Sequence, residues 1–157
     1  MLKTSTDLPI RRATIADLEA VLALSDAGNA NGPIEPDPVA YRDPRYSAAF
    51  EAIAAHPDHD LFVVEHEGEV VGTFQLSIIP GLPRFGMTRG LLENVHVRAD
   101  QRGTGIGTKM MEWAIAHCRE RGCGLVQLTS NKVRKDAHRF YQRLGFEASH
   151  EGFKLML

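Results

Sequence analysis

Hydrophobic and polar positions in the first part of the chain predict a short strand followed by a helix. The strand is predicted around Ile10–Ala13. Thr14 is a candidate N-cap, and Asp17, three residues later, completes a capping-box pattern. Leucine and valine at helical spacing then predict a helix that ends near Gly28.

Glycine and proline dominate the next segment, over 28–44, which predicts a long loop and a candidate lid. A second helix is predicted from Arg45 to Ala55. The run LFVVEHEGEVVGTFQLSII predicts two strands joined by a hairpin at Glu67-Gly68-Glu69, and LLENVHV predicts a third. We therefore expect three consecutive antiparallel strands.

The remainder of the chain is predicted to alternate helices with further strands. An amphipathic helix follows Gly107 and ends before Gly122, and LVQLT predicts a fourth long strand, which completes a βαβ unit. Another helix is predicted from about Lys135 to Leu144, and a closing hairpin has strands at 146–148 and 152–156. This order predicts an α+β fold around a central mixed sheet.

Length and composition indicate a single domain over 1–157. The chain has 157 residues, of which 43% are hydrophobic and 24% charged, close to the average of soluble globular proteins. No apolar run is long enough to span a bilayer, and the N-terminus lacks the apolar core of a secretory signal. Cys118 and Cys123 fit neither a disulfide framework nor a zinc site, and we interpret both as packing residues. A cytoplasmic protein without membrane association is expected.

Charge is distributed unevenly along the chain. The net charge of −2 argues against a nucleic-acid partner. Residues 1–80 carry 5 Lys/Arg and 13 Asp/Glu, net −8, whereas residues 81–157 carry 13 Lys/Arg and 7 Asp/Glu, net +6. Either the two halves face different ligands, or an acidic and a basic surface attract each other within the domain.

The strongest candidate for chemistry follows directly after LLENVHV. Arg102-Gly103-Thr104-Gly105-Ile106-Gly107 leads into the amphipathic helix, so bare backbone amides lie at the positive end of the helix dipole. Arg102 and Lys109 add charge, and Thr104 and Thr108 add hydroxyl donors. This arrangement predicts a phosphate-binding loop, although its spacing fits neither a Walker A loop nor a Rossmann turn.

Two blocks of the sequence carry a recognisable pattern. Arg102, Gly105 and Gly107 form the first block, Arg-x-x-Gly-x-Gly, directly after a strand. The second block is AHRFYQRLGF, from Ala137 to Phe146. Together they resemble the GNAT superfamily of acetyl-CoA-dependent N-acetyltransferases, over about 88–157. The resemblance implies α/β/α layers, a mostly antiparallel sheet with splayed fourth and fifth strands, and an acyltransferase that uses acetyl-CoA.

The resemblance also implies where coenzyme A binds. Strand backbone groups contact the pantetheine arm and the acetyl carbonyl, and the glycine loop holds the pyrophosphate. The implied residues are Val95, His96 and Val97 on the strand and Arg102, Gly103, Thr104, Gly105, Ile106, Gly107 and Thr108 in the loop. Ala137 and Tyr141 belong to the second block. Many members have Asn three residues before the alanine, where this chain has Arg134. Either Asn131 contacts the pantetheine instead, or Arg134 and Lys135 reach the phosphates of the coenzyme.

Tyr141 is the implied acid that protonates the departing thiolate. Because a phenol has a pKa near 10 and a thiol about 8.5, this transfer is uphill by about 2 kcal/mol and needs hydrogen bonding near the sulfur. An alkylamine acceptor must also lose a proton, at about 4.6 kcal/mol at pH 7. Glu93 is the first candidate base or cation-binding group, His96 the second, and a water chain the third. Strict alternation puts Glu93 and His96 on opposite strand faces, unless a bulge shifts the register.

By the same resemblance, the acceptor amine is expected to bind near 28–47 and 80–90. The acidic first half favours a cationic amine, and nearby arginines suit a carboxylate or phosphate on the same molecule. Candidate contacts are Glu35, Asp37, Tyr41, Tyr46, Phe85 and Met87, together with Glu93. The histidines have no metal-ligand spacing, so no metal is expected.

Three functions stay open at this level. The first hypothesis is transfer of the acetyl group of acetyl-CoA to a primary amine of a small molecule, such as an amino acid or amino sugar, by direct attack in a ternary complex. The second is a protein acetyltransferase that acts on a lysine or an N-terminal amine. The third is a non-catalytic coenzyme A-binding sensor, in which Tyr141 and Glu93 have no chemical role. The resemblance is compatible with a homodimer, although no heptad or apolar patch indicates one.

Overall fold

Five strands form one sheet in the computed structural model, which describes residues 8–157. The strands lie in sequence order, antiparallel from β1 to β4 and parallel between β4 and β5. Their bounds are β1 Ile10–Arg12, β2 His59–His66, β3 Glu69–Ile79, β4 Arg89–Val97 and β5 Leu125–Leu128. The predicted mixed, mostly antiparallel sheet is confirmed.

Helices cover both faces of this sheet. Their bounds are α1 Leu18–Ala27, α2 Pro44–Ala55, α3 Pro83–Gly86, α4 Ile106–Glu120 and α5 Lys135–Arg143. Three short 3-10 turns lie at Ile15–Asp17, Ala40–Arg42 and Ala99–Gln101. The turn α3 is left-handed at its centre, because Arg84 and Phe85 have φ angles of 55° and 60°.

The main core lies between the sheet and α4. Met110, Met111, Ala114 and Cys118 of α4 are fully buried there. They share one apolar cluster with Phe62, Val64, Val71, Phe74, Leu76, Ile78, Leu92 and Ile106. A Cβ atom on Gly90 would overlap the Cys118 sulfur, so a glycine in β4 lets α4 approach closely. Burial raises the pKa of Cys118 to about 11, as expected of a thiol that packs in a core.

A polar network fixes the start of α1 to the edge of the sheet. The Thr14 backbone N–H donates to Asp17 Oδ2 at 2.7 Å, as the capping pattern predicts. Arg11 of β1 donates to both oxygens of Asp17, at 2.7 and 2.9 Å, and also to Glu65 of β2. The hydrogen bonds from Arg11 are the main reason that the pKa of the buried Asp17 is lowered. The predicted N-cap Thr14 therefore begins a 3-10 turn at Ile15–Asp17, and α1 follows from Leu18.

The β2–β3 hairpin turns at the predicted residues. Glu67 and Gly68 both have positive φ angles, of 51° and 79°, as a tight two-residue hairpin turn requires. His66 pairs with Glu69 directly across this turn. The turn sets the register of β3, and through it the position of β4.

The predicted closing hairpin is wrong. Residues 145–157 form neither helix nor strand, and Phe153, Leu155, Met156 and Leu157 are exposed. The reason lies at the end of α5, where Gly145 takes a left-handed φ of 94° and the Phe146 N–H donates to Tyr141 O at 3.0 Å. Phe146 thereby completes the helix terminus and packs on the core, instead of beginning a strand.

Candidate active site

A β-bulge interrupts β4 at the centre of the sheet. Gln75 of β3 pairs with Glu93, and Thr73 pairs with His96, so two steps along β3 match three along β4. Asn94 supplies the extra residue and has a left-handed φ of 50°. Because paired residues share a face and Thr73 and Gln75 lie two apart, Glu93 and His96 point to the same face of the sheet.

This face is the one covered by α1 and α2. A cavity of about 210 Å³ lies between the two helices and the sheet. Its lining residues are Leu18, Val21, Leu22, Ser25, Tyr46, Ala49, Phe50, Ile53, Leu61, Thr73, Gln75, Asn94 and His96. An open cleft of about 840 Å³ adjoins it and shares Tyr46 and Ala49. The two candidate bases are therefore brought to one face of the sheet, where His96 lines the cavity and Glu93 is exposed and does not line it.

His96 is half-buried and lies against the end of α1. A Cβ atom on Gly28 would overlap its imidazole, so only glycine fits at that helix end. Burial lowers the pKa of His96 to about 4, and the positive charges of Arg134 and Arg102 lower it further. At pH 7 this imidazole is neutral and only weakly basic, which makes His96 a poorer base than the sequence alone suggests.

Stability should therefore depend on pH through His96. A folded-state pKa below the ordinary value means that the unfolded chain binds the proton more tightly, so stability is lost as pH falls from about 6.5 towards 4. We expect the wild-type free energy of unfolding to fall by about 2 kcal/mol more than that of His96→Gln between pH 7 and pH 4. Urea unfolding at several pH values measures this difference. His66→Gln, at an exposed position, is the control. The same change in the free energy of unfolding with pH for the wild type and His96→Gln would contradict the prediction.

The predicted phosphate-binding loop has the expected geometry. Gly103 and Gly105 have φ angles of 76° and 88°, and Gly105 is the N-cap of α4. The first amides of α4, those of Ile106, Gly107 and Thr108, have no acceptor within the helix. These amides and the guanidinium of Arg102 together suit a diphosphate. Thr104 is engaged locally, since its hydroxyl donates to Gln101 O at 2.6 Å.

The fourth and fifth strands separate beside this loop. Their pairing runs only from Arg89 with Leu125 to Leu92 with Leu128, while β4 continues to Val97. The backbone of residues 93–97 therefore has no strand neighbour on the β5 side. The implied pantetheine residues Val95, His96 and Val97 lie in this stretch.

Tyr141 lies on α5 and packs against the main core. Its ring packs between Phe140 and Phe146, with ring centroids 5.3 and 5.9 Å away. Burial raises the pKa of Tyr141, and Arg134 opposes that rise. Arg134 is the N-cap of α5, two helical turns before Tyr141 on the same helix face. It acts on the pKa of both His96 and Tyr141, so its charge lies close to both.

Asn131 is one of the two alternatives predicted to contact the coenzyme. This residue is exposed, and its side-chain oxygen accepts a hydrogen bond from Val133 N–H at 3.1 Å. The side chain therefore holds its own turn, and its contact with the pantetheine stays a prediction. Ala137 is half-buried on α5, in the first turn of the helix.

Six of the seven predicted acceptor contacts, Glu93 among them, do not line the cavity. Tyr41 is buried and its hydroxyl donates to Asp26 at 2.5 Å, which fastens the loop to α1 and, with burial, raises the pKa of Tyr41 to about 12. Glu35 is exposed in the same loop, and Phe85 is fully exposed on α3. Tyr46 does line the cavity. The acceptor role of Glu35, Tyr41 and Phe85 stays a prediction that the cavity does not support.

Sequence reasoning missed Asn94 and the electrostatic role of Arg134. A signal for Asn94 exists, because asparagine is one of the few residues that tolerate left-handed φ, and it interrupts an otherwise regular strand pattern. No comparable signal links Arg134 to His96, since the two residues are distant in sequence. Within residues 8–157, no group of three His, Cys, Asp or Glu side chains is arranged to hold a metal ion. None of the helices in that range has the length and apolar character that a membrane crossing requires.

Comparison with known proteins agrees with this geometry. A family model described as "Acetyltransferase (GNAT) family" matches residues 29–146. Aminoalkylphosphonate N-acetyltransferase of Salmonella typhimurium is 33% identical over 92% of this chain and 88% of its own length. L-methionine sulfoximine/L-methionine sulfone acetyltransferase of Pseudomonas paraeruginosa is 31% identical, over 89% of this chain and 80% of its own.

A solved structure agrees as well. The crystal structure of a transcriptional regulator from Bacillus halodurans is 38% identical and superposes with a TM-score of 0.81, over 96% of this chain and 99% of that one. The fold class and the resemblance carried by the glycine loop and the Tyr141 segment are thus confirmed. The chain is an acetyltransferase enzyme and belongs to the GNAT family.

Proposed function

We propose that the protein transfers the acetyl group of acetyl-CoA to a primary amine of a small molecule, by direct attack in a ternary complex. The observation that carries this proposal is the bulge at Asn94. It brings Glu93 and His96 to one face of the sheet, at the point where β4 parts from β5, and His96 lines the cavity there. An acceptor in that cavity and a thioester along the open side of β4 would meet at the bulge.

The residues of the glycine loop fit the coenzyme. Backbone amides of Ile106, Gly107 and Thr108 face a diphosphate with the positive end of the α4 dipole, and Arg102 adds a full charge. Val95 and Val97 lie where β4 has no strand neighbour on the β5 side and would present backbone groups to the amide-containing arm, although Val97 O already accepts from Arg102 Nε at 3.3 Å. Bound coenzyme supplies the activated thioester carbonyl.

Starting from an ammonium group, acetyl transfer requires the nitrogen to lose two protons and the departing thiolate to gain one. The neutral amine attacks the thioester carbonyl, a C–N bond forms and the C–S bond breaks. The carboxylate of Glu93 takes the proton that the ammonium group must lose, directly or through one water. Tyr141 donates its phenolic proton to the departing thiolate, and the nitrogen, once bonded to the acetyl carbon, releases its second proton through solvent, which restores the phenol. The products are the amide and free coenzyme A.

A small acceptor is favoured over a protein. The cavity that Asn94 and His96 line lies between two helices and the sheet, and its volume of about 210 Å³ suits a small group. The Salmonella and Pseudomonas relatives are named for small amines, an aminoalkylphosphonate and an amino-acid derivative. A lysine in a folded protein would need an open groove at this place.

A thiol-release assay with acetyl-CoA tests the proposal. The panel contains small amines, amino acids, amino sugars and lysine-containing peptides, with Tyr141→Phe as the catalytic control. We expect release that depends on a small acceptor and is weakened by the substitution. Release with peptides alone would favour a protein substrate. Coenzyme binding without release for any acceptor would overturn the proposal.

A further inference from the structure

The cavity between α1, α2 and the sheet is apolar along most of its length. One wall consists of Leu18, Val21, Leu22, Phe50, Ile53 and Leu61. Among the described residues, those that line the cavity include no Asp, Glu, Lys or Arg. The polar lining residues are Ser25, Tyr46, Thr73, Gln75, Asn94 and His96, and the Thr73 hydroxyl already donates to Phe62 O at 2.8 Å. A charged substituent would therefore lose its hydration without gaining a charged partner.

Some of the polar residues that line this cavity lie at the bulge of β4. Asn94 and His96 lie there on β4, and Gln75 pairs with Glu93 next to them. The bulge is where, under the proposed function, the amine must meet the thioester. The apolar lining residues lie on α1, α2 and β2.

We infer that this cavity is a specificity pocket, which receives an apolar substituent of the acceptor while the amine remains at the bulge beside Glu93. The inference rests on the proposed function and adds the class of acceptor: a primary amine with an aromatic or branched aliphatic side chain. The size agrees, because an apolar cavity of about 150 Å³ is enough to bind benzene. The volume here is about 210 Å³.

Two neighbouring alanines of α2 provide a matched test. Ala48 and Ala49 are both exposed, but only Ala49 lines the cavity. Leucine is nearly as good a helix former as alanine, so neither substitution should disturb α2. Ala49→Leu adds three carbon atoms at the cavity wall, whereas Ala48→Leu adds them outside it.

The measurement is kcat/KM for methylamine, isobutylamine and benzylamine, with saturating acetyl-CoA. For the wild type we expect kcat/KM to rise at least tenfold from methylamine to benzylamine. Ala49→Leu should lower the benzylamine-to-methylamine ratio by about tenfold, and Ala48→Leu should leave that ratio within about twofold. Ile53→Val enlarges the same wall and should raise the ratio of phenethylamine to benzylamine.

The outcomes separate the two proposals. A wild-type ratio near one, or equal ratios for Ala49→Leu and Ala48→Leu, overturns the specificity pocket. Acetylation of an amino sugar with no acetylation of benzylamine also overturns it, and leaves the proposed function standing. No acetylation of any small amine removes the proposed function itself.

Discussion

Replacing Tyr141 with phenylalanine should lower kcat by about 100-fold or more. The substitution removes only the hydroxyl, so the ring keeps its packing between Phe140 and Phe146. Because burial raises the pKa of Tyr141, the phenol remains protonated across the working pH range and is available as an acid. Steady-state kinetics with saturating acetyl-CoA and acceptor measure the loss.

Tyr41→Phe is the matched control for this substitution. It also removes one hydroxyl, but one that donates to Asp26 away from the cavity. We expect it to lower the free energy of unfolding by about 1 kcal/mol and to change kcat less than threefold. Equal kcat losses in both variants would mean that neither hydroxyl acts on the thiolate. A kcat for Tyr141→Phe within threefold of the wild type would exclude the acid role.

Replacing Glu93 with glutamine should lower kcat/KM by about 100-fold at pH 7. Glutamine preserves the shape of the side chain beside Gln75 but takes no proton from the acceptor. The deficit should shrink towards pH 10, because a growing fraction of an alkylamine is then neutral in solution. A pH–rate profile of the wild type and the variant, with the same acceptor, measures both effects.

His96→Gln provides the comparison for the base. Its kcat/KM should fall much less, since a histidine with a pKa of about 4 is already neutral and weakly basic at pH 7. A larger effect in His96→Gln, with an unchanged profile in Glu93→Gln, would assign the proton to His96. Small effects in both would favour a water chain.

Local signals in the sequence predict most of the fold because they act over a few residues. Thr14 with Asp17 sets the start of the first helix, and Glu67 with Gly68 sets the hairpin. The glycine loop is predictable for the same reason, since left-handed φ at Gly105 and free amides at a helix start are local properties. These elements can be predicted from residues that are close together in the sequence.

The site depends on contacts that such signals do not contain. Alternation in LLENVHV puts Glu93 and His96 on opposite faces, and only the pairing with β3 reveals the bulge that unites them. The cavity combines residues from two helices and three strands. The prediction of a closing hairpin was wrong because the Phe146 N–H binds a carbonyl at the end of α5 and its ring packs on the core, so no strand begins there.

The bulge at Asn94 also determines which side chains of β4 pack in the core and which face the candidate active site. Before it, Leu92 packs on the α4 side, and after it Val95 and Val97 do so, so one added residue changes the parity of the strand. Removing that residue would carry the valines out of the core and His96 into it. The left-handed backbone costs about 1 kcal/mol, which a more stable, regular strand would recover. Selection for stability alone would therefore erase this active site.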